Sequence, residues 1–406
     1  MSTTRDLPQV PVSTLGDRSC DVLVAGAGPA GSVAALHLAR RGLRVVLADR
    51  EAFPRDKVCG DGLIPDALRC LARAGLEQAV REHAHAAAGL TVSSPGRIEV
   101  DLAGEFLTLK RRDLDHLLAG AAVDAGARFV RGHVANIQSR GAEGLAVDFE
   151  GAADPVRARV AIVATGAGIE LPRRLGMISS ARPSAIALRC YVRSTHRIER
   201  LLVSFDRTIL PGYAWIFPLG DGEYNVGCGI FERSKVHKVN LRELFRRFVE
   251  GFPAARALFE RAGEPTPLKG APLRCGLTGS SFLGPPGIVA AGEAVGATYA
   301  FTGEGIGKAM ETAEAAAAAI AGALERGDPA ELRQYPRAVD ERLRVRYRSY
   351  DLAQQWLAHE WICDLVARKA NQSTRVHDLL EGILSETNDP NEIFSMRGIV
   401  RALLRS

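Results

Sequence analysis

The chain has 406 residues, more than one hydrophobic core usually serves, so two or more packed units are expected. Hydrophobic residues at 47% and charged residues at 24% fit a globular protein, and a net charge of +5 with no long Lys/Arg block gives no case for nucleic acid. The seven cysteines form no CxxC pair, and neither a secretory leader nor an apolar run of about 18 residues is visible, so a cytoplasmic protein with reduced thiols is expected.

Asp21–Ala25 (DVLVA) reads as a short buried strand. A glycine turn, a helix over Ser32–Arg41, a stop at Gly42 and a second buried strand at Arg44–Ala48 follow. This is a βαβ unit with a parallel sheet. Its turn carries Gly26-Ala27-Gly28-Pro29-Ala30-Gly31, and Asp49 closes the second strand. In that arrangement a pyrophosphate rests on a helix N-terminus and an acidic side chain binds a ribose hydroxyl. Gly26, Gly28, Pro29, Ala30, Gly31, Asp49 and its neighbour Arg50 are therefore expected to hold a dinucleotide.

Further along, Asp113–Ala125 has a helical pattern that ends at Gly126 and leads into the apolar segment Arg128–Val130. After a polar, hairpin-like region, Val160–Ala164 is another buried strand, ending in Thr165-Gly166-Ala167. From about Arg182 to Leu273 the pattern alternates as in a β-rich layer, interrupted by a helical insertion over roughly Leu241–Ala262. Ile288–Ala291 is one more strand, running into a Gly-rich loop at 292–307 and an alanine-rich helix to about Leu324. The remainder is mostly helical and rich in arginine. These elements divide the chain into a dinucleotide-binding unit in three pieces (19–90, 111–180 and 274–325), a β-rich unit in two (91–110 and 181–273) and a helical region (326–406).

The fingerprint is joined by three further segments: Phe53–Leu63 (FPRDKVCGDGL), Pro211–Pro218 (PGYAWIFP), and Gly292-Glu293-Ala294-Val295-Gly296 continuing to Phe301–Gly307 (FTGEGIG). In order from about residue 20 to 320, they resemble the geranylgeranyl reductase family of flavoproteins, within the p-hydroxybenzoate hydroxylase-like group. The resemblance implies an α/β fold in which a Rossmann-like FAD-binding domain is interleaved with a β-rich substrate domain and followed by a C-terminal helical region. It implies that Gly292, Glu293, Gly303, Gly305 and Ile306 wrap the FAD, with Glu293 (usually aspartate in the family) bonding the ribityl chain. The helix starting near Ile306 then aims its N-terminus at the pyrimidine side, where reduced flavin carries negative charge. Arg111 matches the arginine that reaches the FAD, a role its neighbour Arg112 is also placed to fill. Ala164, Thr165 and Gly166 join the cofactor set. Related hydroxylases carry an aspartate where Thr165 stands, so no nicotinamide contact transfers to it.

The resemblance also places Cys59, followed by Gly60, near flavin and substrate, where it shapes the pocket or assists protonation. A free cysteine is otherwise usually a small buried hydrophobe. Tyr213, Trp215 and Phe217 alternate, so they share one face of a strand. In the family this segment lines the substrate cavity. Cys59, Tyr213 and Trp215 are the catalytic candidates, and no metal is expected. The implied reaction is FAD-dependent reduction of carbon–carbon double bonds in an apolar isoprenoid substrate, with NAD(P)H or a small electron carrier as donor. A flavin monooxygenase of secondary metabolites is the main alternative. A flavin halogenase is a weaker one, its WxWxIP motif being altered at Tyr213 and Phe217, as is a flavin-less prenyl carrier. A monomer is expected. The stripe Ile399, Val400, Leu403 and Leu404, flanked by Arg397, Arg401 and Arg405, suggests contact with a membrane surface.

Overall fold

The structure, a computed structural model, describes residues 6–178, 180–231, 239–300 and 302–389. The fold is mixed α/β, as expected. An eight-stranded sheet forms its first layer. At the centre, Ser19–Ala25 pairs in parallel with Val45–Asp49 on one side and Val156–Val163 on the other. Beyond Val45–Asp49 lie Arg128–Arg131 and then the short strand Val10–Pro11. The first half of Val156–Val163 also pairs antiparallel with Leu145–Phe149, and its second half pairs in parallel with Ile288–Ala290.

Successive residues of a strand face opposite ways, and this sheet is covered on both sides. Val22, Val24, Leu47 and Ile162 pack beneath the helices Pro29–Ala39, Arg111–Asp124 and Ile306–Arg326. Leu23, Val46, Ala161 and Val163 pack on the other face against Leu171 and the hairpin of Val134–Ser139 with Leu145–Phe149. Burial on both faces is why these strands read as unbroken apolar runs. The first helix starts at Pro29, three residues before the expected Ser32. Proline suits a first helical position because its missing N–H is one the helix would leave unpaired.

A seven-stranded sheet forms the second layer, in the order Lys269–Leu273, Ala185–Arg193, Glu223–Ile230, Gly212–Gly220, Leu201–Ser204, Leu90–Ser93, Glu99–Leu102. The helical insertion covers one of its faces, but as two helices, Leu241–Gly251 and Pro253–Glu260. Pro253 forces the break, because the residue before a proline is pushed out of the helical region, and Phe252 is extended (φ −92°, ψ 119°). A third, three-stranded sheet pairs Gly62–Leu63, Phe106–Thr108 and His85–Ala87, so the segment 91–110 is divided between two sheets.

The C-terminal region is helical as expected. Gln334–Leu357 packs on the alanine-rich helix through Tyr335, Val339 and Leu343, while Glu360–Gln372 and Thr374–Leu384 cover Leu90, Val100 and Leu102 with Ala367, Ala370 and Val376. All seven cysteines are free thiols. Among the described residues no helix is long and apolar enough to cross a membrane. The arginine–leucine stripe at 397–405 and Phe301 lie outside the described residues.

Candidate functional site

The three fingerprint glycines do different work. Gly26 has φ +108°, and a Cβ added there would stand 2.3 Å from the Ala164 carbonyl oxygen. A Cβ on Gly31 would stand 1.7 Å from the Gly26 oxygen. Both positions are closed by backbone. Gly28 is open: only Arg55 Nη2 at 3.7 Å and Arg111 Nη2 at 3.8 Å come near its added Cβ. The middle glycine therefore faces a space bounded by two guanidiniums and a helix N-terminus, an arrangement that suits a diphosphate. Asp115, wholly buried, holds both cations. Arg111 Nε and Nη2 donate to it at 2.7 and 2.8 Å, and Arg55 Nη1 lies 3.0 Å from Oδ2. Arg111 is buried and borders this space, whereas Arg112 is exposed. Asp49 accepts from the Ala27 amide at 2.9 Å and the Glu51 amide at 3.0 Å, which leaves capacity for a ribose hydroxyl. Arg50 stands at the rim, its side chain 67% exposed and paired with Glu51.

Cys59 and Gly60 are held through a residue not singled out in the sequence, Asp61. It is wholly buried with φ +64°, a conformation uncommon for any residue but glycine. Its Oδ1 accepts from the Arg111 amide at 3.0 Å, and its Oδ2 accepts from Tyr191 Oη and Asn225 Nδ2, both at 2.8 Å. Asn225 also donates to the Cys59 carbonyl at 2.7 Å and accepts from Trp215 Nε1 at 2.9 Å. One carboxylate thus ties the cysteine loop, the start of the Arg111 helix and two strands of the second sheet together. Burial pushes the Asp61 carboxyl up to about 6 against the pull of these hydrogen bonds. Burial also raises the Cys59 thiol, opposed by the Arg111 guanidinium. Cys59 is consequently a neutral thiol, able to donate a proton or fill space but poorly prepared as a nucleophile.

Tyr213, Trp215 and Phe217 do share one face, with successive ring centroids 6.0 and 6.4 Å apart. A Cβ on Gly60 would lie 3.3 Å from Phe217, so the cysteine loop rests on this ladder. Tyr213 stacks on Phe231 at 5.0 Å and donates to the Thr302 carbonyl at 2.5 Å. Gly303 (φ +68°) passes so close to the Tyr213 hydroxyl that a Cβ would meet it at 2.5 Å. The loop is thereby pinned where Gly305 and Ile306 open the long helix. Glu293 Oε1 accepts from the Arg274 amide at 3.3 Å, and its Oε2 lies 3.7 Å from a Cβ built on Gly166. Thr165 turns its hydroxyl to the Gly168 carbonyl at 3.2 Å, within its own loop.

All the expected site residues except Gly31 and Gly292 line one cavity of about 1170 Å³. Gly31 packs on backbone, as above. Gly292 (φ +69°) lies behind Ala30, where a Cβ would meet the Ala30 side chain at 2.7 Å. At both positions the missing side chain lets backbone or the Ala30 side chain approach closely. The cavity exceeds the roughly 300–1,000 Å³ of sites for drug-sized ligands. It is polar at the Gly28 end. Beyond the aromatic ladder it is walled by Val92, Leu102 and Val203 from the second sheet and by Val366, Leu380 and Leu384 from the C-terminal helices. Arg55, Asp61, Asp115, Tyr191 and Asn225 are the site residues sequence reading missed. The Arg111–Asp115 pair at i,i+4 on a helix was a usable signal. Tyr191 and Asn225 offered none.

Residues 19–176 match a family model described as an FAD binding domain. The menaquinone reductase of Mycobacterium tuberculosis (strain ATCC 25618 / H37Rv) is 34% identical over 316 residues, covering 74% of this chain and 76% of that protein. Digeranylgeranylglycerophospholipid reductase 2 of Methanosphaera stadtmanae is 27% identical over 356 residues, covering 83% and 87%. In fold, the chain is similar to a geranylgeranyl bacteriochlorophyll reductase-like protein from Thermoplasma acidophilum, with TM-score 0.75 and 24% identity over 96% of this chain and 97% of that one. The open cradle at Gly28, with its two guanidiniums, fits the diphosphate of FAD. The chain belongs to the geranylgeranyl reductase family of FAD-dependent oxidoreductases.

Proposed function

We propose that the enzyme reduces carbon–carbon double bonds in the isoprenoid chain of a lipid. The observation that carries this reading is the cavity itself, which runs without interruption from the guanidinium-bounded cradle, past Cys59 and the aromatic ladder, into an apolar chamber. A flavin reducing a short polar substrate would have no use for that chamber. Menaquinone and digeranylgeranylglycerophospholipid, the compounds in the relatives' names, both carry isoprenoid chains.

In this scheme bound FAD, once reduced, supplies the hydride, and the protein supplies orientation and dryness. Gly28, Arg55 and Arg111 hold the diphosphate, and Asp49 takes a ribose hydroxyl. The hydrogen bonds through Asp61 and Asn225 fix Cys59 and Trp215 on the reacting side. Tyr213, Trp215 and Phe217 pack the alkene, and the C-terminal helices exclude water from it. NAD(P)H or a small electron carrier is the proposed donor. The same reading includes transient contact with a bilayer, from which such a substrate would be drawn.

Flavin monooxygenases and halogenases share the fold, so the fold does not separate the reactions. The test is anaerobic reduction of the purified holoprotein, mixing with geranylgeranyl lipids, and mass analysis. Flavin reoxidation with products heavier by two hydrogens per reduced bond is expected. Inertness without oxygen, with oxygen insertion into an aromatic substrate once air is admitted, would replace the proposal with the monooxygenase.

A further inference from the structure

The strand register gives the apolar chamber a length. Trp215 lies opposite Val203, Val203 opposite Val92, and Val92 opposite Val100, on four neighbouring strands of the second sheet. All four line the cavity. At about 4.8 Å for each gap between strands, the row they make is about 14 Å long. A second row, Leu201, Leu90 and Leu102, runs beside it and lines the cavity too. Facing the rows are Val366 and Ala367 of the helix Glu360–Gln372 and Leu380 and Leu384 of Thr374–Leu384.

The row ends at a wall. Glu99–Leu102 is the edge strand of its sheet, and the two helices fold over that edge. They are fastened on either side of Val100 and Leu102. Asn371 Nδ2 donates to the Glu99 carbonyl at 2.8 Å, and the Ala103 amide donates to Glu381 Oε1 at 2.6 Å. Between these bonds Val100 and Leu102, each 3% exposed, pack with Ala367, Ala370 and Val376. Ser94, on the same wall, is engaged: its hydroxyl donates to Asp364 at 2.7 Å and accepts from the Ile98 amide at 3.2 Å. A polar head group sent to this end would give up its water among valines and leucines without gaining a partner, which is costly. A hydrocarbon end gains by the same move.

We propose that the chamber is a blind ruler for the free end of an isoprenoid chain. It holds what lies beyond the reacting double bond, up to about three isoprene units, and Val100 with Ala367 sets the limit. The proposal rests on the reductase reading and deepens it, fixing which end of the lipid is inside and which double bonds reach the flavin. An isoprene unit adds four carbon–carbon bonds of about 1.5 Å along the chain, which zigzag to about 5 Å. Three such units match the row of about 14 Å that starts at Trp215. A geranylgeranyl chain therefore fits with the double bond nearest its head group at the aromatic ladder. A longer polyprenyl chain presents only bonds near its free end, because the remainder beyond any other bond would overrun Val100.

The test uses the holoenzyme with a chain-length series in micelles: geranyl-, farnesyl-, geranylgeranyl- and solanesylglycerol. Binding of the saturated forms, read from the flavin absorbance, should tighten by about tenfold or more for each unit added up to geranylgeranyl length, then stop. In single turnover, fragment masses should place the new hydrogens of solanesylglycerol near its free end, with the bond nearest the head group intact. Val100→Phe moves the wall inward and should cost geranylgeranylglycerol about tenfold more affinity than geranylglycerol. Val100→Ala, which introduces no clash, should move the plateau toward longer chains. Affinity that keeps climbing to solanesyl length, or reduction of that chain next to its head group, would overturn the blind ruler. Variants that change every chain length alike would overturn the role of Val100. A wild type that shows the plateau yet reduces none of the series would sink the reductase reading and leave the ruler supported.

Discussion

Replacing Asp115 by asparagine should destabilise the FAD-free protein far more than the FAD-bound one. Asp115 is wholly buried and is the counter-charge to two guanidiniums that are themselves only 10% and 13% exposed. Removing one partner of a buried ion pair typically costs about 3–5 kcal/mol, because the remaining charge is stranded. Arg55 keeps a weaker neighbour in Asp49, 3.7 Å away, and asparagine still accepts one hydrogen bond, so about 3 kcal/mol is the better figure. A bound diphosphate would place two negative charges beside the same guanidiniums and return much of that loss. The assay is thermal unfolding of the apo and holo forms followed by circular dichroism. For a chain of this length about 3 kcal/mol corresponds to roughly 3–4 °C, so the variant apoprotein should melt that much lower. The increment that FAD adds to the melting temperature should grow. An apoprotein that melts within about 1 °C of the wild type, or an FAD increment that shrinks, would refute the assignment of this trio to the diphosphate.

Gly28→Val should give folded protein without flavin, because the side chain enters the open cradle rather than the backbone; full flavin occupancy after purification would count against the placement. Gly31→Ala should not fold at all, since its Cβ would stand 1.7 Å from a carbonyl oxygen, and recovery of folded, flavin-loaded protein would show that the turn can yield. Cys59→Ala should retain FAD while single-turnover reduction of an isoprenoid lipid falls by about tenfold or more, whereas unchanged turnover would reduce Cys59 to packing. Burial raises Asp61 from its usual 3.8 to about 6, so its contribution to stability is complete below about pH 4 and is lost as pH rises through 6. At about 1.4 kcal/mol per pKa unit, the stability of the wild type relative to Asp61→Asn should fall by about 3 kcal/mol between pH 4 and pH 7, and a flat difference would mean that Asp61 is already ionised at low pH.

What could be read in the sequence was local. The fingerprint turn, Asp49 and the two-sided strands are each fixed by a few neighbouring residues, and periodicity two correctly put Tyr213, Trp215 and Phe217 on one face. Register is not local. Asn225 lies opposite Tyr191 on one neighbouring strand and opposite Phe217 on the other, so its amide reaches both Asp61 and Trp215. No spacing along the chain announces that. A glycine pattern has a related blind spot, because it marks where a side chain is forbidden without saying what forbids it. At Gly28 it is open space between two cations; at Gly31 and Gly292 it is the protein itself.

The interleaved order of the segments follows from the demands of one continuous cavity. The cradle needs cations beside a helix N-terminus, with enough counter-charge to keep the apoprotein folded, and Asp115 supplies this from a helix that lies apart from the fingerprint in sequence. The chamber needs apolar walls and no ionised group that a hydrocarbon chain would have to desolvate. Asp61, wholly buried, joins the Arg111 helix to strands of the second sheet and relieves the cost of its own burial. Asp61 does so by accepting three hydrogen bonds. A carboxylate held in this way positions its neighbours, which is how one residue fixes the cysteine loop, the Arg111 helix and, through Asn225, Trp215.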